Sequence, residues 1–241
     1  MKKIKRSSEL LWLFGIIFVA LGVTICSKAD LGVSMIAAPA FVISEKLISI
    51  SGFFTVGVTE YLIQGVLLII LCIILRKFDW RYLLAFAVAV IYGYTLDLFL
   101  FIFASVSFDA VWLRWVMLII GDLITAFGVA CFFRTYMPLQ VYELFVSETA
   151  KGFRFDINKV KRYFDITLLL FSLALSLILF LDILSFDFST FYYSSYHSLG
   201  LGTIVTTVIN SYLIKICGIF IDKLFEATPL ISTMEKLLKI D

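Results

Sequence analysis

Six apolar runs of membrane length constrain this chain more than any other feature. They lie at about 10–26, 53–75, 82–104, 110–133, 163–184 and 201–224. A bilayer core about 30 Å thick is crossed by roughly 20 residues of helix. No water is available there for backbone amides, so each run has to satisfy them internally as a helix. The fold class read from this is all-α, a polytopic membrane bundle. Composition agrees: 62% of the residues are hydrophobic, against about 45–50% in a soluble domain. The lipid bilayer is therefore the first partner. A net charge of +2 gives no reason to expect nucleic acid.

Basic residues orient the spans. Lys2, Lys3, Lys5 and Arg6 precede the first, Arg76, Lys77 and Arg81 join the second to the third, and Lys151, Arg154, Lys159, Lys161 and Arg162 join the fourth to the fifth. Lys223, Lys236 and Lys239 follow the sixth, whereas 105–109 and 185–200 contain no basic residue. This alternation expects both termini in the cytoplasm, in a bacterial inner (cytoplasmic) membrane. The basic start resembles a signal peptide, but no small-x-small cleavage site follows, so the first run is read as a retained span. Thr228 and Pro229 suit the start of a helix, and an interfacial tail helix is expected over 226–241.

The sequence carries no enzyme signature. It has neither a phosphate-binding G-x-x-x-x-G-K-[ST] loop nor a G-x-S-x-G turn. His197 is the only histidine, which excludes a multi-His metal site. Cys26, Cys72, Cys131 and Cys217 sit in or beside apolar runs and read as small buried hydrophobes. No metal and no cofactor is expected.

The chain also resembles itself. Gly15, Gly22 and Lys28 recur at the same spacing as Gly121, Gly128 and Arg134. Leu31-Gly32 then aligns with Met137-Pro138, and each pair precedes a short segment, 34–47 or 139–150. Glu60 opens the second span as Asp165 opens the fifth. Gly93-x-x-x-Asp97 in the third matches Gly218-x-x-x-Asp222 in the sixth. Two copies of an odd number of spans must insert with opposite orientation. The expectation is a 3+3 inverted-topology repeat, a plan common in secondary transporters. Its halves are 1–104 and 105–225. Each short segment is either a re-entrant or an interfacial helix.

The stretch Lys28-Ala-Asp-Leu-Gly-Val-Ser-Met-Ile-Ala-Ala-Pro-Ala, with Ser44-Glu45-Lys46, resembles the YczE/YyaS/YitT group of bacterial membrane proteins. More narrowly it resembles the subgroup reading K-A-D-L-G-x-S-M-I-A-A-P. Glu60-Tyr-Leu-Ile-Gln-Gly, Tyr92-Gly93 with Leu96-Asp97, Arg134-Thr-Tyr with Gln140-Val-Tyr142, and Phe164-Asp165 carry the same likeness. The resemblance implies a membrane fold and no particular reaction. The wider group often has Pro and Asp soon after the L-G. Met35 and Ala37 stand there in this chain, and Glu143 of the second half takes the place of that carboxylate.

Ionisable groups within spans face the protein interior or a wet cavity, and mark function by default. Glu60, Asp97, Asp122, Asp165, Asp222 and Glu143 are the candidates, with Gln64 one turn from Glu60 on the same helix face. A carboxyl buried away from any cation takes up a proton readily, and supplies the counter-charge to a cationic solute. The helix-break candidates are Lys28, Asp30, Gly32, Arg134 and Pro138. Lys28 and Arg134 either snorkel to the interfaces or hold the breaks by pairing with Asp30 and Glu143. Snorkelling suffices for Arg114, and Lys215 is a partner for Asp97 or Asp122. Gly15, Gly22, Gly121 and Gly128 permit close helix contact.

Taken together, these features point to a transporter of a small polar or charged solute, with proton coupling through Glu60 or Asp97. The alternative is an accessory or scaffold protein that supports a partner without moving anything. A homodimer is compatible with either.

Overall fold

The computed structural model describes residues 4–180, 195 and 198–228. Among these residues the chain forms eight helices: α1 (Ser8–Lys28), α2 (Ala38–Leu47), α3 (Val56–Leu75), α4 (Arg81–Ile102), α5 (Val111–Phe132), α6 (Val141–Phe153), α7 (Ile157–Phe180) and α8 (Leu201–Leu224). All but α2 and α6 are long and apolar enough to cross a membrane. The expected six spans are therefore present, and the two short helices follow the first and fourth of them.

Local chemistry sets the boundaries. Ser7 and Thr55 accept the backbone N–H of Leu10 and Val58, capping α1 and α3. Asp156 accepts from the N–H of Asn158 and Lys159. That cap starts α7 at Ile157, well before the expected 163, because the basic turn read as a loop stays helical ahead of its apolar part. Residues 181–184 of that span and the 185–194 connection lie outside the described residues.

A further departure concerns the ends. β1 (Ile4–Ser7) and β2 (Phe225–Thr228) form a two-stranded parallel ladder, with Ser7 opposite Thr228. Residues 226–228, expected to open the tail helix, are thus extended. Residues 229–241 lie outside the described residues. The ladder brings the start of α1 and the end of α8 to one side of the bundle, as an even number of crossings requires.

The centre of the bundle is the antiparallel pair α1 and α5, each more buried than any other span. Glycines let their backbones meet. A Cβ at Gly15 would lie 3.2 Å from the Gly128 carbonyl oxygen, and one at Gly128 only 2.8 Å from that of Gly15. Gly22 and Gly121 face each other in the same way, at 2.5 and 2.8 Å. Around this pair, α4 packs on α1 and α8 packs on α5. The short helices cross over: α2 packs on α7 as well as on α3, and α6 packs on α3 as well as on α7. Ile16, Val19, Val23, Phe41, Tyr92 and Phe132 belong to the largest apolar cluster.

The crossing is a sharp test of this packing. A methyl at Gly22 would meet the Thr125 backbone nitrogen at 2.6 Å and the Gly121 oxygen at 2.5 Å. Neither can rotate away. Gly22→Ala should therefore cost about 2–3 kcal/mol, read as a lower thermal midpoint in detergent. Gly52→Ala, where a Cβ would meet nothing within 4 Å, should leave the midpoint unchanged.

Candidate functional site

Two breaks in the helical chain build the site. After α1 the backbone turns left-handed at Asp30 (φ 53°) and passes Gly32 at φ 108°, a conformation that suits glycine. The loop is pinned to the start of α8. The Leu31 carbonyl accepts from Gly202 N at 2.8 Å, and Val33 N donates to Ser198 O at 3.0 Å. The Ser34 carbonyl then accepts from the N–H of Ala37 and Ala38, which starts α2. The second break follows α5. There Trp12 Nε1 of α1 donates to Pro138 O at 2.9 Å, and Gln140 leads into α6.

The first turns of both short helices reach the same place. Ser34 and Ala37 from one, and Gln140, Tyr142 and Glu143 from the other, line a cavity of about 20 Å³ together with Glu60, Tyr92 and Thr125. That volume holds about one water molecule. Glu60 is fully buried, and Gln64 Nε2 donates to its Oε1 at 3.4 Å. Glu60 Oε2 and Glu143 Oε2 lack a well-formed hydrogen bond, and the Tyr142 hydroxyl stands toward the Glu60 carboxyl. Tyr92 and Tyr142 lie within electrostatic reach of both carboxyls. Burial pushes the Glu143 carboxyl above its ordinary range, and the Lys161 ammonium opposes this. Lys161 itself donates to Asp165 at 2.8 Å, one helical turn away.

This centre is charged unevenly. Each short helix brings about half a positive charge at its N-terminus, and Lys161 is matched by Asp165. Two carboxylates against two helix ends leave room for about one more positive charge, a proton or a cation. Among the described residues no group of three His, Cys, Asp or Glu side chains stands together to hold a metal ion.

The remaining sequence candidates have other partners. Asp97 accepts from the Thr55 hydroxyl at 2.6 Å and from Gly57 N at 2.8 Å, so it secures the start of α3. Asp222 receives both Nε and Nη2 of Arg134, at 2.6 and 2.7 Å. Arg134 therefore pairs with Asp222 and not with Glu143. Lys28 donates to the Ala104 carbonyl at 3.3 Å rather than to Asp30. Asp30 instead pairs with Arg114 at 3.1 Å and accepts from Ser195, so Arg114 does more than snorkel. Asp122 is buried on α5 with one oxygen lacking a hydrogen bond, away from the cavity lining. Lys215 reaches neither Asp97 nor Asp122 by an ion pair. The four described cysteines are free, and three of them are buried.

Reading ionisable residues alone missed Tyr92, Tyr142, Gln140, Thr125 and Ser34 as wall of the site. The signal for some of them was available: Gln140, Tyr142 and Glu143 crowd three polar groups into the start of one short helix.

Six lipid-length helices around a buried polar centre define a polytopic integral membrane protein. The model of the family described as "Family of unknown function (DUF6198)" matches residues 4–218, and the chain belongs to that family. No curated protein and no solved structure matches it.

The capping role of Asp97 has a measurable consequence. Asp97→Ala removes the acceptor of two groups and should cost about 1–2 kcal/mol of stability. Asp97→Asn, which still presents an acceptor oxygen, should recover part of that loss in the same thermal melts.

Proposed function

We propose that the protein is a secondary transporter built as a 3+3 inverted repeat, carrying a small cationic or zwitterionic solute in exchange for protons. Glu60 and Glu143, one from each half, are its central carboxylates. The observation that carries this reading is the cavity: two buried carboxyls with no cation bonded to either, faced by two helix N-termini. Half-helix ends aimed at a midplane site are a recurring device of transporters. The cavity is too small for a solute larger than water, so loading requires the halves to part. It corresponds to a closed state.

The inverted repeat is supported by the way contacts exchange between halves. Gly15 meets Gly128 and Gly22 meets Gly121, and each pair becomes the other when the halves are swapped. Asp30 of the first break pairs with Arg114 at the head of α5. Its counterpart Tyr136 bonds through its N–H to Ser8, the counterpart of Arg114, and through its hydroxyl to Glu9. The packing of α2 on α7 likewise has its image in α6 on α3. The K-A-D-L-G stretch, which gives the likeness to the YczE/YyaS/YitT group, forms the first break in this plan. In a bacterial cytoplasmic membrane, the basic connections put the β1–β2 side in the cytoplasm.

One observation favours the accessory-protein reading. An apolar groove of about 750 Å³ opens between α3 and α7, a surface on which another membrane helix could lie. Flux distinguishes the two.

The test uses proteoliposomes loaded with a pH-sensitive dye and a panel of cationic and zwitterionic metabolites. At least one compound should drive proton movement in the wild type. Glu60→Gln or Glu143→Gln should reduce that movement about a hundredfold, as loss of a buried counter-charge worth about 3 kcal/mol implies. Solute flux that ignores an imposed pH gradient, or that survives both substitutions together, would show the mechanism to be wrong.

A further inference from the structure

A second polar cavity, separate from the central one, opens where α7 and α8 diverge near the end of α5. Its volume is about 520 Å³, and Arg134, Lys161, Arg162 and Lys215 all contribute to its wall. Two of these cations are neutralised, Arg134 by Asp222 and Lys161 by Asp165. Among the described residues, Arg162 and Lys215 form no ion pair. Among the described residues the cavity is therefore left with two uncompensated positive charges.

Lys215 is the informative one. It lies about two and a half turns before the end of α8, on a helix apolar enough to span the membrane. It is exposed on the bundle surface. A cation at that depth is costly unless it meets an anion or the aqueous boundary. Tyr212, one turn earlier, adds a hydroxyl to the same wall, while Ile214 and Ile219 keep its flank apolar. Positive charge at one end and apolar surface beside it fit an anion with an attached hydrocarbon. Basic pockets between helices near a membrane face are suited to phosphate-bearing head groups.

We propose that this cavity binds a phosphate group, with Arg162 and Lys215 as its direct cationic partners and the Tyr212 hydroxyl as a further donor. The phosphate can come from an anionic phospholipid of the surrounding leaflet or from a soluble phosphate ester. The apolar flank favours the lipid. The Arg134–Asp222 and Lys161–Asp165 pairs shape the wall without supplying net charge. The site does not depend on the transport reading, because no central carboxyl takes part in it.

The experiment titrates the purified full chain, held in an uncharged maltoside detergent that carries no phosphate, with phosphatidylglycerol in one arm and glycerol 3-phosphate in the other. Binding is read by native mass spectrometry and by thermal midpoint. Phosphatidylglycerol should bind and raise the midpoint. Arg162→Gln with Lys215→Gln should weaken it about thirty-fold, since each basic side chain near the surface contributes about 1 kcal/mol. Glu60→Gln should leave it unchanged. A comparable response to glycerol 3-phosphate would assign the site to a soluble phosphate; a response to the lipid alone would assign it to the leaflet. If neither ligand binds, or if the double variant binds as the wild type does, the proposal fails. Arg162→Lys with Lys215→Arg, which keeps both charges, should retain binding and separates charge loss from misfolding.

Discussion

The glycine crossing of α1 and α5 is the contact on which the rest of the structure depends. In lipid there is little hydrophobic drive between helices, so association rests on how closely backbones can pack. Gly15 against Gly128 and Gly22 against Gly121 bring two antiparallel helices together at two points. Two points fix the offset along the axis as well as the distance. That offset puts the end of each helix beside the start of the other. Asp30 can then reach Arg114, and Tyr136 can reach Ser8 and Glu9. The two breaks are held at opposite ends of one pair, and the loops that form them run inward, so that the first turns of the short helices share a cavity.

What meets in that cavity follows from burial and charge. A carboxyl far from water needs a proton, a cation or a set of donors. Glu60 has Gln64 and the neighbouring tyrosines, and Glu143 has the more distant Lys161. Neither has an ammonium or guanidinium bonded to it. Asp165 and Asp222 do, and Asp97 has two donors. The acidic residues thus divide by partner. Asp97, Asp165 and Asp222 are bonded to groups that hold elements in place, whereas Glu60 and Glu143 in the cavity, and Asp122 outside it, have no cation bonded to them.

Much of this was legible in the sequence. The spans could be read because twenty apolar residues have only one way to cross lipid, and α8 spans the run expected for it, 201–224. The breaks could be read because Leu31-Gly32 and Met137-Pro138 interrupt apolar helices. The glycine spacing marked the residues of the crossing, but not which of them meet. Pairing was less accessible. Lys28 beside Asp30 suggested a local bond, but the left-handed turn at Asp30 sends its carboxylate across to α5. Asp97 read as a functional charge because its donors, Thr55 and the Gly57 amide, come from a different helix. The early start of α7 was hidden because a basic helical turn outside the membrane has the composition of a loop. Tyr92 and Thr125 join the site only through the crossing, which no local pattern encodes.

In the proposed repeat the departures from symmetry matter as much as the likeness. In the repeat alignment Ala37 corresponds to Glu143 and Glu60 to Asp165. Ala37 and Glu143 both line the cavity, yet only one is acidic. Glu60 and Asp165 are both buried acids, yet only Asp165 has an ammonium bonded to it. Under the proposed repeat the charge is therefore not shared equally between the halves: α3 carries an acid without a cation in the cavity wall, and α7, outside that wall, carries an internal ion pair. A symmetric scaffold would close equally well in both directions with either arrangement. In the proposed mechanism a bound cation would sit between Glu60 and Glu143, and its removal would leave those two acids to repel each other. Protonation would relieve that repulsion. The same two residues would thereby couple solute release to proton uptake, with the bundle changing no more than the separation of its halves.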